Sequence, residues 1–309
     1  MEKQLIGNII RRLRKQQGIS SSELARRVGV DRATIYNIEN GKVNPNKETV
    51  DLILEYLYVD FEYIDIQLLN EEEAKHVKAI DEMDEYISKN DYVRAKELLK
   101  DLKMDGKFKA RILNKQYIAY AEAIITKESG KDAKFKKTIA ILKGIMKESI
   151  PKFNEKNIKD YYLSKSEIYI LLNLANIYDE IGKYEAAIII ARGLKENFDN
   201  YCIDKNYRGK HLPKILFNLS NYLGRAGKED EALKLCEEGI ELCVVTDSYR
   251  VLPALTFNKG FFLAKEEVTK EEGINLMKRT YHTLIIHQKP EEAKKIQEYL
   301  KLEYNILLD

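Results

Sequence analysis

The sequence predicts an all-α protein. Its 309 residues include only 5 Pro and 15 Gly, so positions that break helices are sparse. Apolar residues recur at helical spacing from the start of the chain, where Ile6, Ile9, Ile10 and Leu13 fall on one face of a helix. A chain of this length can form one large domain or a small domain followed by a larger one.

Positive charge is concentrated at the N-terminal end. The whole chain has a formal net charge of +2, but the segment up to Lys47 carries ten cationic and four anionic side chains. Such a cationic segment is typical of nucleic-acid binding. No apolar run approaches the length of a membrane span, and the N-terminus lacks the apolar core of a signal peptide. We therefore expect a cytoplasmic protein that binds DNA and does not associate with a membrane.

The remaining reactive residues indicate no enzyme chemistry. Cys202, Cys236 and Cys243 form no CxxC pair, and an odd number favours reduced thiols over a disulfide framework. The 4 His are too scattered for a metal site. We find no nucleophile and base at interpretable spacing and no phosphate-binding loop, so we expect neither a catalytic site nor a cofactor.

The first 69 residues predict a group of short helices. A first helix ends at Gly18, and Ser21 or Ser22 can cap a second helix. Gly29 then supplies the tight turn into a third helix, which Asp31 can cap. Two further elements are predicted over residues 50–57 and 61–69.

The third helix presents side chains suited to reading DNA. Ile35 and Ile38 point inward, and the outward residues are Arg32, Ala33, Thr34, Tyr36 and Asn37. Arginine pairs well with guanine and asparagine with adenine, whereas small apolar groups contact the thymine methyl group. The alternative interpretation is an ordinary solvated helix face.

The segments IIRRLRKQQGIS, SELARRVGV, ATIYNIENGK and NP resemble the phage-repressor-like (Cro/XRE) helix-turn-helix family in order and spacing. The resemblance implies that Arg32, Ala33 and Asn37 read bases. It also implies an ion pair between Arg14 and Glu39 that fixes the first helix against the third. Positions that match contacts to the DNA backbone are Ser21, Thr34, Tyr36, Asn40 and Lys42.

The chain from residue 70 onward repeats a theme of paired helices. Between Ile168 and Phe198, the spacing of Leu174, Ala175, Tyr178, Gly182, Tyr184 and Ala187 resembles a tetratricopeptide repeat. A second, degenerate unit carries Gly227 and Ala232 at the positions of Gly182 and Ala187. A third keeps Asn258 and Gly260 at the corresponding positions of its first helix and needs a small insertion at its turn. Earlier segments around Tyr92 and Ala95 look like further members. The predicted fold is a helix-turn-helix domain followed by an α-superhelix of tetratricopeptide-like repeats.

Asparagines recur on the first helix of successive repeats. Asn173, Asn218 and Asn258 share one position, and Asn176 and Asn221 lie one turn further along. Amide side chains both donate and accept, so a ladder of them can bind the main chain of an extended peptide. The alternative is that these residues only bridge neighbouring helices.

Aromatic and cationic residues lie on or near the same face. Tyr169, Phe217, Phe257 and Phe261 can form pockets for peptide side chains, although core packing is the more usual fate of such residues. Lys214 and Arg225 can hold a peptide carboxylate, with solvated surface as the alternative.

The combination of both motifs resembles the RNPP group of peptide-pheromone receptors. This resemblance implies a homodimeric transcription regulator that binds a signalling peptide in its repeats and operator DNA through two helix-turn-helix domains. The predicted domains are residues 1–69 for DNA binding and residues 70–309 for peptide sensing and dimerisation. Two alternatives stay open, namely repeats that dock another protein and a phosphatase-like repeat protein.

Overall fold

The computed structural model describes residues 2–43, 45–57, 71–88, 91–110, 112–127, 132–202 and 205–308. Every regular element within these ranges is a helix, which confirms the all-α prediction. The predicted element over residues 61–69 and the predicted domain boundary after residue 69 lie outside the described residues.

The helices fall into two groups along the chain, separated by a 3₁₀ helix. The first group is α1 (Glu2–Gln16), α2 (Ser21–Val28), α3 (Arg32–Glu39), α4 (Lys47–Tyr56), α5 (Glu71–Ser88), α6 (Tyr92–Met104), α7 (Gly106–Ala110), α8 (Ile112–Lys127) and α9 (Asp132–Ser149). A 3₁₀ helix, Glu155–Asp160, comes next. The second group is α10 (Lys165–Glu180), α11 (Tyr184–Tyr201), α12 (Lys205–Arg225), α13 (Glu229–Val245), α14 (Leu252–Leu263), α15 (Lys270–Ile286) and α16 (Pro290–Tyr304).

Backbone contacts divide the chain into two compact units. The first unit comprises residues 1–154 and 161–174, and the second comprises residues 155–160 and 175–309. Helix α10 therefore contributes to both units, because its residues up to Leu174 belong to the first and those from Ala175 onward to the second.

Helices α1–α4, called the head below, enclose a core of their own. Its buried side chains are Ile10, Leu13, Leu24, Ala25, Val28, Ile35, Ile38, Ile53, Leu54 and Leu57. They come from all four helices at the spacing of one helical face, so the apolar pattern in the sequence accounts for this core. The turn between α2 and α3 is made by Gly29, whose φ of 75° lies in the left-handed region that favours glycine.

The cap of α2 differs from the sequence prediction. Ser20, and neither Ser21 nor Ser22, is the N-cap, because its Oγ accepts a hydrogen bond of 3.1 Å from the backbone N–H of Glu23. Helix α2 begins at Ser21, directly after this cap, so Ser21 lies within its first turn. Asp31 occupies the N-cap position of α3, but its side chain makes no capping hydrogen bond. Adjacent serines explain the error, because each satisfies the same preference.

Gly7 allows α1 to approach the end of α3. A Cβ atom at Gly7 would lie 2.1 Å from the carbonyl oxygen of Ile38. We expect Gly7→Ala to lower the free energy of unfolding by about 1–3 kcal/mol, because the added methyl group forces the two helices apart. Gly144 in α9 is the matched control, since a Cβ there meets open space. Urea unfolding of both variants tests this, and an equal or smaller loss in Gly7→Ala than in Gly144→Ala would contradict it.

Tyr162, which precedes α10 in the sequence, packs on α1 within the first unit. Its hydroxyl accepts a hydrogen bond of 2.7 Å from Arg12 Nη1, and its backbone N–H donates to Gln16 Oε1 at 2.8 Å. Gln16 Nε2 donates in return to the carbonyl of Tyr162 at 3.4 Å. The partly buried ring also packs against the core of the head. A residue far along the chain thus takes part in holding α1.

Helices α11–α16 form the repeat pattern of the second unit. The turns after α10 and α12 contain Gly182 and Gly227, with φ of 74° and 75°. The predicted small side chains follow in the first turn of the next helices. Ala187 is the fourth residue of α11, Ala232 is the fourth residue of α13, and both are fully buried. These turns and alanines confirm the tetratricopeptide-like pattern that the sequence predicts.

Within the described ranges, no helix is both long and apolar enough to cross a membrane. The same ranges contain no group of His, Cys, Asp or Glu side chains arranged to hold a metal ion. Cys236 and Cys243 are buried, and burial raises the pKa of each thiol to about 11. Both thiols therefore stay protonated and poorly nucleophilic at neutral pH.

Candidate functional site

The outward face of α3 carries the predicted base-reading residues. Arg32 and Ala33 are exposed at its N-terminal end, and Asn37, one turn further along, is partly exposed. Thr34 is also partly exposed, and Tyr36 shows 54% of its surface to solvent. Ile35 and Ile38 are buried on the opposite side, so the helix places the polar residues together and outward.

The residues after α3 are held against its last turn. Asn40 Nδ2 donates a hydrogen bond of 2.7 Å to the carbonyl of Tyr36. The Nζ atom of Lys42 lies 5.3 Å from the centre of the Tyr36 ring, a cation–π distance. Ser21 is partly exposed in the first turn of α2. Lys42 is exposed, so its charge remains available to a phosphate.

The predicted ion pair between α1 and α3 is present and buried. Arg14 Nε lies 2.5 Å from Glu39 Oε1, and Arg14 Nη2 lies 2.9 Å from Glu39 Oε2. Arg14 Nη1 also donates to the carbonyl of Ile19 at 2.7 Å. Only 10% of the Arg14 side chain and 4% of the Glu39 side chain is exposed. This bidentate ion pair confirms the sequence prediction and fixes the orientation of α3 on α1.

Asn173, in the first unit, is engaged by its neighbours. Its Nδ2 atom donates hydrogen bonds of 2.9 Å to the hydroxyl of Tyr120 and to the carbonyl of Tyr169. Burial raises the pKa of Tyr120, which therefore stays neutral. Both amide protons of Asn173 are donated to groups within the protein, so only its side-chain oxygen is available to accept a hydrogen bond from a ligand.

Asn176 and Asn221, in the second unit, have their oxygens fixed and their amide protons unused. The Tyr222 hydroxyl donates to Asn176 Oδ1 at 2.5 Å, and Asn258 Nδ2 donates to Asn221 Oδ1 at 2.8 Å. Neither Nδ2 atom has a hydrogen-bond partner among the described residues, and both side chains are partly exposed. Burial raises the pKa of Tyr222, which keeps it a donor and thereby fixes the amide orientation.

Asn218 and Asn258 are almost completely buried, each 8% exposed. Asn258 Nδ2 also donates to Ser220 Oγ at 3.1 Å, so its two protons are both used. In contrast, the buried Nδ2 atom of Asn218 has no partner in the part of the chain that the structure describes. A buried amide without an acceptor is unfavourable, so the Nδ2 atom of Asn218 is a donor that remains available.

The predicted aromatic and cationic residues have mixed surroundings. Phe261 packs on Phe262 and Tyr299 at ring-centre distances of 5.4 Å and 5.9 Å. Tyr169 and Phe217 are partly buried, and Phe257 packs on Tyr299 at 5.8 Å. The remaining predicted residues are Lys214, which is exposed on α12, and Arg225 at the end of the same helix.

Arg225 binds a residue that the sequence interpretation did not single out. Its Nη1 atom donates to Asp179 Oδ2 at the end of α10. Asp179 lies six residues after Asn173 and one turn after Asn176, on the same side of the helix. That spacing is the signal by which the sequence could have indicated Asp179. Tyr222 was missed in the same way, although it lies one turn after Asn218.

Comparison with known proteins defines the class of the head and of the whole fold. Residues 10–64 match the family model described as helix-turn-helix. This segment includes the α2–Gly29–α3 turn and the face of α3 described above. No curated protein sequence matches the chain. The chain thus combines a helix-turn-helix head with a set of helical repeats.

Solved structures share this arrangement over nearly the full length. PlcR of Bacillus thuringiensis, in complex with the peptide PapR7 and DNA, is similar with a TM-score of 0.58 and 16% identity over 94% of this chain and 99% of that chain. Its apo form has a TM-score of 0.56 at 16% identity, covering 94% and 98% of the two chains. A Listeria monocytogenes EGD-e protein described as a candidate transcriptional regulator has a TM-score of 0.51 and 19% identity, with 97% of each chain covered. The predicted resemblance is therefore confirmed in fold.

Proposed function

We propose that this protein is a sequence-specific DNA-binding transcription regulator controlled by a short linear signalling peptide. The helix-turn-helix match and the fold shared with PlcR, which was solved with a peptide and DNA, support the proposal. The exposed face of α3 is the observation that supports DNA reading most directly, because it groups Arg32, Ala33 and Asn37 on a rigidly held helix. The proposal assigns the chain to the cytoplasm and gives it no catalytic role.

The roles of the head residues divide into reading and positioning. Arg32, Ala33 and Asn37 contact base edges, and the exposed Arg11 of α1 contacts phosphate. The positioning residues on the DNA backbone are Ser21, Thr34, Tyr36, Asn40 and Lys42. The buried pair of Arg14 and Glu39 supports this division, because a fixed α3 can align short side chains with particular bases.

The second unit offers the peptide site. The unused amide protons of Asn176 and Asn221 lie at equivalent positions of successive repeats, and donors repeated in this way suit the carbonyl groups of an extended main chain. Asn218 adds a buried donor without an acceptor. Asn173 and Asn258 donate hydrogen bonds to neighbouring helices and mainly stabilise the packing of the repeats. Ligand binding is therefore assigned to Asn176, Asn221 and Asn218, and bridging between helices to Asn173 and Asn258.

A homodimer belongs to the same proposal. Helix-turn-helix proteins read two half-sites about one helical turn apart, or a multiple of it, through two copies of the recognition helix. A peptide can act only if it binds two arrangements of the dimer with different affinity, and the spacing of the two heads is the simplest such difference.

Two substitutions test the DNA-binding roles, because one should change sequence preference and the other should change binding to all sequences. A binding site is first selected from random duplex DNA with the full chain. Asn37→Ala should then relax preference at one base position, at a cost of about 1–3 kcal/mol in discrimination. Arg11→Ala should weaken binding to all sequences and reduce the dependence on salt concentration by about one counterion.

Gel-shift titrations over a salt series measure both effects. Lys234→Ala on α13 is the control, since it also removes one exposed positive charge but lies outside the head. Equal losses of specific and non-specific binding in Asn37→Ala and Arg11→Ala would refute the assignment of roles. Failure of the full chain to select any DNA sequence, with and without peptides encoded beside its gene, would refute the regulator itself.

A further inference from the structure

The end of α10 in the second unit contains a buried carboxylate that is only half satisfied. Asp179 is 9% exposed, and its Oδ2 atom accepts a hydrogen bond from Arg225. The other oxygen, Oδ1, is buried and has no partner within the described residues. Arginine can bind both oxygens of a carboxylate at once, but here a single Nη atom contacts a single oxygen. One acceptor position on Asp179 is therefore open.

The positive charge of Arg225 does not fully offset the unfavourable burial of the Asp179 carboxylate. Burial raises the pKa of Asp179, and the favourable effect of Arg225 opposes the shift without cancelling it. The nearby Glu180 adds further negative charge. Arg225 is much the more exposed partner, because 55% of its side chain is exposed, compared with 9% for Asp179. The pair thus consists of a buried acid and a largely exposed base, which solvent or a ligand can approach.

Asp179 also lies next to the amide donors of the peptide site. Asn176 is one helical turn before it on α10, and Tyr222, which fixes the Asn176 amide, lies one turn before Arg225 on α12. A molecule whose carbonyl groups accept hydrogen bonds from Asn176 and Asn221 would extend to within reach of this carboxylate.

We propose that Asp179 is a specificity-determining residue that binds a positively charged nitrogen of the ligand, which takes the place of Arg225 on the carboxylate. This inference rests on the proposed peptide-binding function and adds the charge of the group that the site selects. An amino terminus and a Lys or Arg side chain share the required chemistry. The sequence suggested that Arg225 binds a carboxylate of the peptide. Here its guanidinium instead occupies the Asp179 carboxylate until the cation of the ligand replaces it.

The test is affinity selection from a pool of short linear peptides randomised at every position, prepared with free and with acetylated amino termini. The wild-type full chain should enrich peptides with a cationic residue at one position, or peptides with a free amino terminus, and the acetylated pool distinguishes these two sources. Asp179→Asn should bind the selected peptides about 10- to 100-fold more weakly, because a hydrogen bond to a charged group is lost. Arg225→Ala should bind them equally well or more tightly, because the competing cation is gone.

Asp199→Asn is the matched control. Asp199 on α11 also forms an ion pair, with Arg208 at 2.5 Å, but its side chain is 38% exposed and has partners on two cations. This variant should bind like wild type, and thermal unfolding of every variant verifies that the fold persists. Selected peptides without cationic preference, or equal losses in Asp179→Asn and Arg225→Ala, would overturn the role of Asp179 alone. Retention of no peptide by the wild-type chain would overturn the peptide-binding function and this inference with it.

Discussion

Glu39→Ala is expected to lower the free energy of unfolding of the head by about 3–5 kcal/mol, because it leaves the buried guanidinium of Arg14 without its carboxylate. The pair is two-pronged and nearly inaccessible to solvent. Urea unfolding followed by a signal from the head measures the loss. Binding to the selected DNA should fall in parallel, since α3 loses its fixed orientation on α1.

Glu23→Ala provides the comparison for this effect. Glu23 and Arg27 form an ion pair of the same length, 2.5 Å, but both side chains are more than a third exposed. Removal of such a surface pair should cost less than about 1 kcal/mol. Similar losses in Glu39→Ala and Glu23→Ala would show that burial does not set the strength of the Arg14–Glu39 pair.

The double variant Asn176→Asp, Asn221→Asp is expected to weaken peptide binding by about 100-fold or more, because it replaces two outward donors with acceptors. The retained oxygens can still accept from Tyr222 and from Asn258, so the contacts between helices persist. Calorimetric titration with a peptide selected by the wild-type chain measures the affinity, and thermal unfolding should change little.

Asn275→Asp on α15 is the control for the added negative charge, since that amide is exposed and has no partner among the described residues. It should leave peptide affinity unchanged. An unaltered affinity in the double variant would contradict the assignment of Asn176 and Asn221 as donors to the ligand. An equal loss in Asn275→Asp would attribute the effect to net charge instead of local contacts.

The fold could be predicted from the sequence because its determinants are local. Helical spacing of apolar residues defines the faces that become buried, as Ile35 and Ile38 illustrate in α3. Turns with a left-handed residue favour glycine, and Gly29, Gly182 and Gly227 all adopt positive φ. Burial of Ala187 and Ala232 follows from the same repeated spacing.

The candidate sites could be predicted only in part, since their details depend on contacts between distant residues. The outward face of α3 follows from the helical period of one segment. The orientation of the Asn176 amide depends on Tyr222, 46 residues later, and the engagement of Arg225 depends on Asp179 at the same separation. No local pattern encodes which atoms of an amide already have hydrogen-bond partners, so the sequence could not show which asparagines keep an amide donor available.

The contacts of Tyr162 have a consequence for how this chain can be divided. The head is a continuous segment of sequence, yet α1 is hydrogen-bonded to Tyr162 and packs against it, and Tyr162 lies three residues before the start of α10. A recombinant fragment ending near residue 69 would lack these contacts. Such a fragment, or a chimera that joins this head to foreign repeats, would therefore differ in stability from the native head. The head is thus one continuous segment of the sequence, but part of its packing depends on a residue outside that segment.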